Sequence, residues 1–210
     1  MSQQSPFSGQ LYIFSAPSGA GKTSLVEALL KTTPGIGVSV SHTTRAMRPG
    51  EQDGVHYHFT DVVRFEKMVE EGIFLEYAKV FDNYYGTSQK ALEDRLSQGE
   101  DVILEIDWQG AQQVRKLMPY GISVFILPPS RGELEKRLNA RGQDSAEVIA
   151  RRMQDATADM AHYVEFDYVI INDEFDEATQ QLRAIVLAQR QRLNTLSKSK
   201  HSMLKDLLES

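Results

Sequence analysis

Residues Ala16-Pro17-Ser18-Gly19-Ala20-Gly21-Lys22-Thr23 lie between an apolar run, Leu11-Tyr12-Ile13-Phe14-Ser15, and a helical pattern, Ser24-Leu25-Val26-Glu27-Ala28-Leu29-Leu30. A loop that wraps a triphosphate has to turn its backbone N–H groups inward, which glycines allow. The helix that follows adds the positive end of its dipole. In the pattern G-x-x-x-x-G-K-[ST] the lysine reaches the β- and γ-phosphates and the hydroxyl ligates Mg²⁺. Lys22 and Thr23 occupy those positions, while Ala16 stands where the first glycine usually does. Alanine tolerates the dihedrals of many turns, so the departure is small. A flexible turn with a surface lysine is the bland alternative, and the flanking strand and helix speak against it. The stretch predicts a nucleoside triphosphate site.

The alternation of strand and helix continues downstream. Val102-Ile103-Leu104-Glu105-Ile106 and Ser123-Val124-Phe125-Ile126-Leu127 read as buried parallel strands, followed by helical stretches near 111–117 and 133–138. Tyr168-Val169-Ile170-Ile171 is a further strand, leading into a helix from about 175 to 193. Strands separated by helices predict βαβ units, and so an α/β fold whose parallel sheet is flanked by helices. Residues 36–90 break the rhythm with a short strand at 55–59, a helix at 61–71 and a strand at 74–80, which reads as an inserted mixed subdomain. Residues 137–159 are rich in arginine and acidic side chains, as a helical lid would be.

Composition narrows the partners. The 210 residues carry 23 Lys+Arg against 29 Asp+Glu, a net charge of −6, and no cysteine. Disulfides, thiolate metal sites, iron–sulfur clusters and a cysteine nucleophile are therefore excluded. The acidic balance argues against binding nucleic acid or anionic membrane in bulk, but says nothing against a small phosphate site. The first residues are polar and the first apolar run is too short for a signal or a membrane span, so the cytosol is the expected compartment. A homo-oligomer is compatible with the chain.

A second phosphate-reading cluster follows the first. Arg45 and Arg48, three apart in Thr43-Thr44-Arg45-Ala46-Met47-Arg48, are spaced to grip one phosphate with forked hydrogen bonds. Tyr57 and Tyr85 can add hydroxyls to the same group. Glu76 interrupts an apolar stretch; a carboxylate there can accept the paired N1–H and N2–H₂ of guanine, whereas adenine presents an acceptor at N1. Ser41 and Thr87 can donate to guanine O6. Asp107 closes a core strand, where it can hold Mg²⁺ directly or through water, or cap the next helix. His56 and His58 share a strand face but lack a third ligand, which favours a structural role.

Together Ser15-Ala16-Pro17-Ser18-Gly19-Ala20-Gly21-Lys22, Ser41-His42-Thr43-Thr44-Arg45, Tyr84-Tyr85-Gly86-Thr87 and Ile106-Asp107-Trp108-Gln109-Gly110 resemble guanylate kinase in a bacterial form, from about Gly9 to Arg192. The first motif is shared by many P-loop proteins; the others are specific as a set. The resemblance implies a P-loop NTPase core (1–38, 91–136 and 160–195), an inserted mixed α+β GMP-binding subdomain (39–90), a helical lid (137–159) and a tail (196–210). It implies ATP and GMP as substrates, with Mg²⁺. ATP is then expected on Ala16, Pro17, Ser18, Gly19, Ala20, Gly21, Lys22, Thr23 and Ser24, with Asn172 by the adenine. GMP is expected on Ser41, Arg45, Arg48, Glu51, Tyr57, Glu76, Tyr85 and Thr87, with Glu105 where relatives often carry Asp. Catalysis would fall to Lys22, Arg45 and the lid arginines Arg137, Arg141 and Arg152, and Mg²⁺ to Thr23 and Asp107. The acceptor phosphate is ionised near neutral pH, so no general base is required.

Two rivals remain at the level of residues. One is a binding module that uses the acceptor groove for phosphorylated peptides; the intact Lys22, Thr23, Asp107 and lid arginines weigh against it. The other is a kinase for a different small phosphorylated acceptor, against which Glu76 and its neighbouring hydroxyls argue.

Overall fold

The computed structural model describes residues 5–80, 82–140 and 146–209. In chain order its first elements are β1 (Leu11–Ser15), α1 (Lys22–Thr32), β2 (Ile36–Val38), β3 (His42–Thr43), β4 (His58–Phe59) and α2 (Val62–Glu70). Then come β5 (Phe74–Val80), β6 (Asn83–Ser88), α3 (Gln89–Ser97), β7 (Asp101–Glu105), α4 (Trp108–Leu117), β8 (Ile122–Leu127) and α5 (Arg131–Ala140). Last are α6 (Ala146–Met160), a 3-10 turn (Ala161–Glu165), β9 (Tyr168–Ile171), α7 (Phe175–Arg190), α8 (Leu193–Ser199) and α9 (His201–Asp206).

Every residue of β1 is buried, and its side chains alternate between two apolar layers. Tyr12 and Phe14 pack with Leu25 and Leu29 of α1 and Leu182 and Val186 of α7. Leu11 and Ile13 pack with Leu92 and Leu96 of α3 and Val114 of α4. Each such side chain contributes about 1.5–3 kcal/mol by leaving water. A slip of one residue would exchange the two faces, so the register of β1 is tightly specified. The five parallel strands run in the order β2-β7-β1-β8-β9, an α/β sheet of the P-loop type with helices on both faces. The carboxyl ends of β1, β7 and β9 therefore open onto one edge, where ligands of such sheets bind.

A second, mixed sheet runs β4-β3-β6-β5. Asp61 caps α2 through the Arg64 N–H (2.8 Å), and Phe65 of that helix stacks on Phe74 and Tyr84. His42 lies between His58 and Phe74, and burial first, then the neighbouring His58, lowers its pKa to about 4. Leu134 and Leu138 of α5 pack on Ala156 of α6.

Two local expectations are corrected, and one strand goes beyond them. Ile36–Val38 pairs with β7 as a core strand, although its three residues are too short to show a period. Of the stretch 55–59 only His58–Phe59 is strand, because Val55 and His56 turn back to the Gln52 carbonyl. The helix beginning at Phe175 ends at Arg190, and extended backbone at Arg192 separates it from α8. Among the described residues no helix is long and apolar enough to cross a membrane.

Candidate active site

Between β1 and α1 the chain turns through Gly19 and Gly21, with φ of +90° and +94°. Side chains rarely adopt such angles, and here they would also lack room. A Cβ on Gly21 would lie 2.4 Å from Asn172 Nδ2, and one on Gly19 2.9 Å from Leu138 Cδ2. Asn172, expected beside the adenine, is buried behind the loop and donates its amide to the Ala20 carbonyl at 2.8 Å. Gly21 begins α1 with no side-chain cap, which leaves the first helical N–H groups for a ligand.

Lys22 Nζ donates to the Ile106 carbonyl at 3.1 Å, beyond the end of β7. Burial lowers its pKa, and the carboxylates Glu105, Asp107 and Glu76 pull in the opposite direction. Thr23 Oγ1 donates to Glu105 Oε2 at 3.3 Å. Glu105, expected near the acceptor nucleotide, is thereby turned toward the triphosphate cradle. Asp107 caps α4: its Oδ1 accepts the Gly110 N–H at 2.9 Å and its Oδ2 accepts Gln109 Nε2 at 3.1 Å. Hydroxyl and carboxylate oxygens at Thr23, Glu105 and Asp107 suit a hard cation such as Mg²⁺. No group of three His, Asp or Glu among the described residues could hold a metal unaided. Mg²⁺ bound to one or two carboxylates and to phosphate oxygens fits that pattern.

Across a cleft of about 290 Å³ lies the second sheet. Glu76 of β5 lies directly opposite Thr87 of β6 and is only 3% exposed. Ser41 Oγ is 3.2 Å from Thr87 Oγ1, so the predicted base readers form one connected group. Burial, chiefly, pushes the Glu76 carboxyl up to about 7; the polar hydrogens of neighbouring Thr87 oppose that and the charge of Asp107 adds to it. Arg45 forms a 2.7 Å ion pair with Glu51, whose other oxygen accepts the Arg48 N–H at 2.7 Å. The Arg45 guanidinium lies 5.4 Å from the Tyr57 ring centroid, and Tyr57 meets Tyr85 edge to face. Glu51 thus holds the two arginine segments in register.

Of the lid arginines, Arg137 donates to Glu133 (3.1 Å) and to the Asn172 carbonyl (3.1 Å). Arg152 is half-buried on α6, and Arg141 lies outside the described residues. Two contributors were missed from sequence. A Cβ on Gly110 would stand 2.6 Å from Glu76 Oε2, so this glycine makes room for the buried carboxylate. Asp159 lines the cleft from the end of α6 and accepts the Trp108 indole N–H at 2.9 Å. In sequence it is one more acid on a polar helix.

A family model described as guanylate kinase matches residues 8–189. A guanylate kinase of Chromohalobacter salexigens is 58% identical over 205 residues, covering 98% of this chain and 95% of that protein. One from Aliivibrio fischeri is 58% identical over 202 residues, covering 95% and 98%. The crystal structure of guanylate kinase from Anaplasma phagocytophilum superposes with a TM-score of 0.77 at 33% identity, over 96% of this chain and 94% of that one.

The raised Glu76 pKa has a thermodynamic consequence. Between about 4.5 and 7 the folded protein keeps a proton that the unfolded chain has released, so this group costs stability as pH rises through that window. Glu76→Gln is expected to gain thermal stability relative to the parent between pH 5 and pH 8, as melting at both pH values would show; a constant difference would refute the assignment. Gly110→Ala, which in an open helix would stabilise by up to about 1 kcal/mol, is expected to destabilise by about 1–3 kcal/mol in urea unfolding, by crowding Glu76.

Proposed function

The chain belongs to the guanylate kinase family, and from that premise we propose how its residues carry out the reaction ATP + GMP ⇌ ADP + GDP. It is a nucleoside monophosphate kinase that phosphorylates GMP. The observation that carries the residue-level reading is Glu76, a buried carboxylate paired across the sheet with Thr87 on the wall of the cleft that also holds Lys22.

Guanine donates its N1–H and N2–H₂ to Glu76, while the hydroxyls of Thr87 and Ser41 serve O6. Adenine would set its N1 lone pair against the carboxylate, and a buried polar pair left unmatched is strongly disfavoured. Arg45 and Arg48, with Tyr57 and Tyr85, hold the GMP phosphate, and Glu51 keeps Arg45 aimed. On the donor side, residues 16–24 wrap the triphosphate of ATP with backbone N–H groups, and Lys22 reaches the β- and γ-phosphates. Asn172 acts by bracing that loop.

Thr23 and Asp107, with Glu105 beside Thr23, are the residues that would hold Mg²⁺. When bound, the ion neutralises charge on the phosphates. In-line transfer then needs alignment and charge neutralisation more than covalent chemistry. Lys22 lines the cleft on the donor side, Arg45 stands behind Tyr57 on the acceptor side, and Arg137, Arg141 and Arg152 are the lid arginines assigned to the donor. Closure excludes water and so prevents hydrolysis of ATP. dGMP is expected to serve as a second acceptor.

A coupled ADP-release assay with MgATP and AMP, GMP, CMP, UMP or dGMP tests the reading. Turnover is expected with GMP and dGMP alone, and Glu76→Gln should lower kcat/KM for GMP about 10–100-fold while sparing ATP binding. Strong turnover with AMP would refute the base-reading role. Lys22→Ala should reduce transfer by at least about 10²-fold, yet bind GMP nearly as the parent does in calorimetry. Equal loss of GMP binding would remove Lys22 from the donor side.

A further inference from the structure

Helix α4 touches both the strand that carries Glu76 and the end of α6. On one side, the Trp108 indole N–H donates to Asp159 Oδ1 at 2.9 Å. Its ring lies flat on the His162 imidazole, with 3.6 Å between centroids and 7° between planes. One turn further, Gln112 Nε2 donates to Glu165 Oε2 at 2.8 Å, and Glu165 Oε1 sits 2.6 Å from His162 Nδ1. Asp159 closes α6, and His162 and Glu165 belong to the 3-10 turn that leads out of it.

On its other side, α4 places Gly110 under the Glu76 carboxylate. Gln113 exchanges two hydrogen bonds with the Tyr77 backbone, donating at 2.8 Å and accepting at 3.2 Å. Tyr77 follows Glu76 on β5, an edge strand of the second sheet. Within ten residues the helix therefore reaches from the base reader to the foot of the lid.

We propose that Trp108 and Asp159 are positioning residues that, through α4, couple occupancy of the acceptor site at Glu76 to closure of α6 over the donor. The inference rests on the phosphotransferase reading above. Guanine seated on Glu76 holds β5, and through Gly110 and Gln113 it holds α4. Trp108 is then steadied where Asp159 and His162 meet it. The ordering cost borne by the first ligand is spared the second, which makes the two bind cooperatively. Asp159 is suited to this part because it lines the same cleft as Lys22 and Asp107, so its bond to the indole is exposed to what enters there. Burial and the charge of Asp107 raise its carboxyl pKa, and the indole N–H opposes that rise.

Trp108 is the single tryptophan of the chain, so its emission reports its own stack on His162. The test is the affinity for GMP, by calorimetry, with and without a non-hydrolysable ATP analogue, alongside tryptophan emission. The parent protein should show a coupling factor within about 5–150-fold. Trp108→Phe, which keeps an aromatic ring and loses the donor, should bring the factor within about twofold of one while leaving GMP affinity alone nearly unchanged. Asp159→Ala should do the same to the factor. Asp159→Asn, which keeps an acceptor, should retain most of the coupling, and thermal melts would verify folding of each variant. A factor of one in the parent, an unchanged factor in Trp108→Phe, or emission indifferent to both ligands would overturn the coupling. Failure of the parent to bind GMP at all would overturn the acceptor reading as well, so the two failures are told apart.

Discussion

Gly19 and Gly21 hold the backbone at φ near +90° between β1 and α1, and most of the site leans on that short left-handed stretch. Leu138 closes over Gly19, Asn172 presses on Gly21 and binds the Ala20 carbonyl, and Lys22 reaches across to Ile106. The loop is held from several sides before any ligand arrives. Its geometry depends in turn on β1, buried on both faces, whose register cannot slip without exchanging the two halves of the core. Arg190 anchors the far end of the same sheet, bonded to Asp101, which also accepts the Gln10 N–H.

The electrostatics of the cleft follow from how charges are grouped. Lys22 stands among Glu76, Glu105 and Asp107, so its desolvation is partly offset by carboxylates that belong to other parts of the site. Arg45 is aimed by Glu51 and flanked by Tyr57, which limits its freedom before a phosphate binds. Donors fixed in advance cost little reorganisation when charge develops in the transition state. Glu76 is the opposite case: a carboxylate kept dry and reluctant to ionise until a ligand donates to it. In the proposed role that reluctance would make it selective, because only a base with two adjacent donors would repay its desolvation.

Period and turn chemistry made much of this legible. The apolar runs of β1, β7, β8 and β9 and the helix near 61–71 could be read directly, since each is a local pattern. Glu76 was readable as an interruption, but its companionship with Thr87 and Ser41 is a matter of strand pairing. Gly110 looked like the last letter of a motif. Its use, room for Glu76 from another element, is invisible until β5 and α4 are packed together. Trp108 stood in the sequence only as a letter of that same motif, and its hydrogen bond to Asp159 spans 51 positions. Asp107 admitted both a capping and a metal role; the first is seen in its bond to Gly110, and the second requires a nucleotide.

By itself, then, the sequence determined the parallel core, the turn between β1 and α1 and the family to which the chain belongs. These depend on neighbours within a few positions, where steric and hydrogen-bonding rules act locally. Only the tertiary structure decided that Asn172 braces the loop, that Glu105 faces Thr23, and that α4 joins the Glu76 strand to the end of α6. Those relations are contacts between elements far apart in the chain, and they exist only once burial of the apolar faces has brought the elements together.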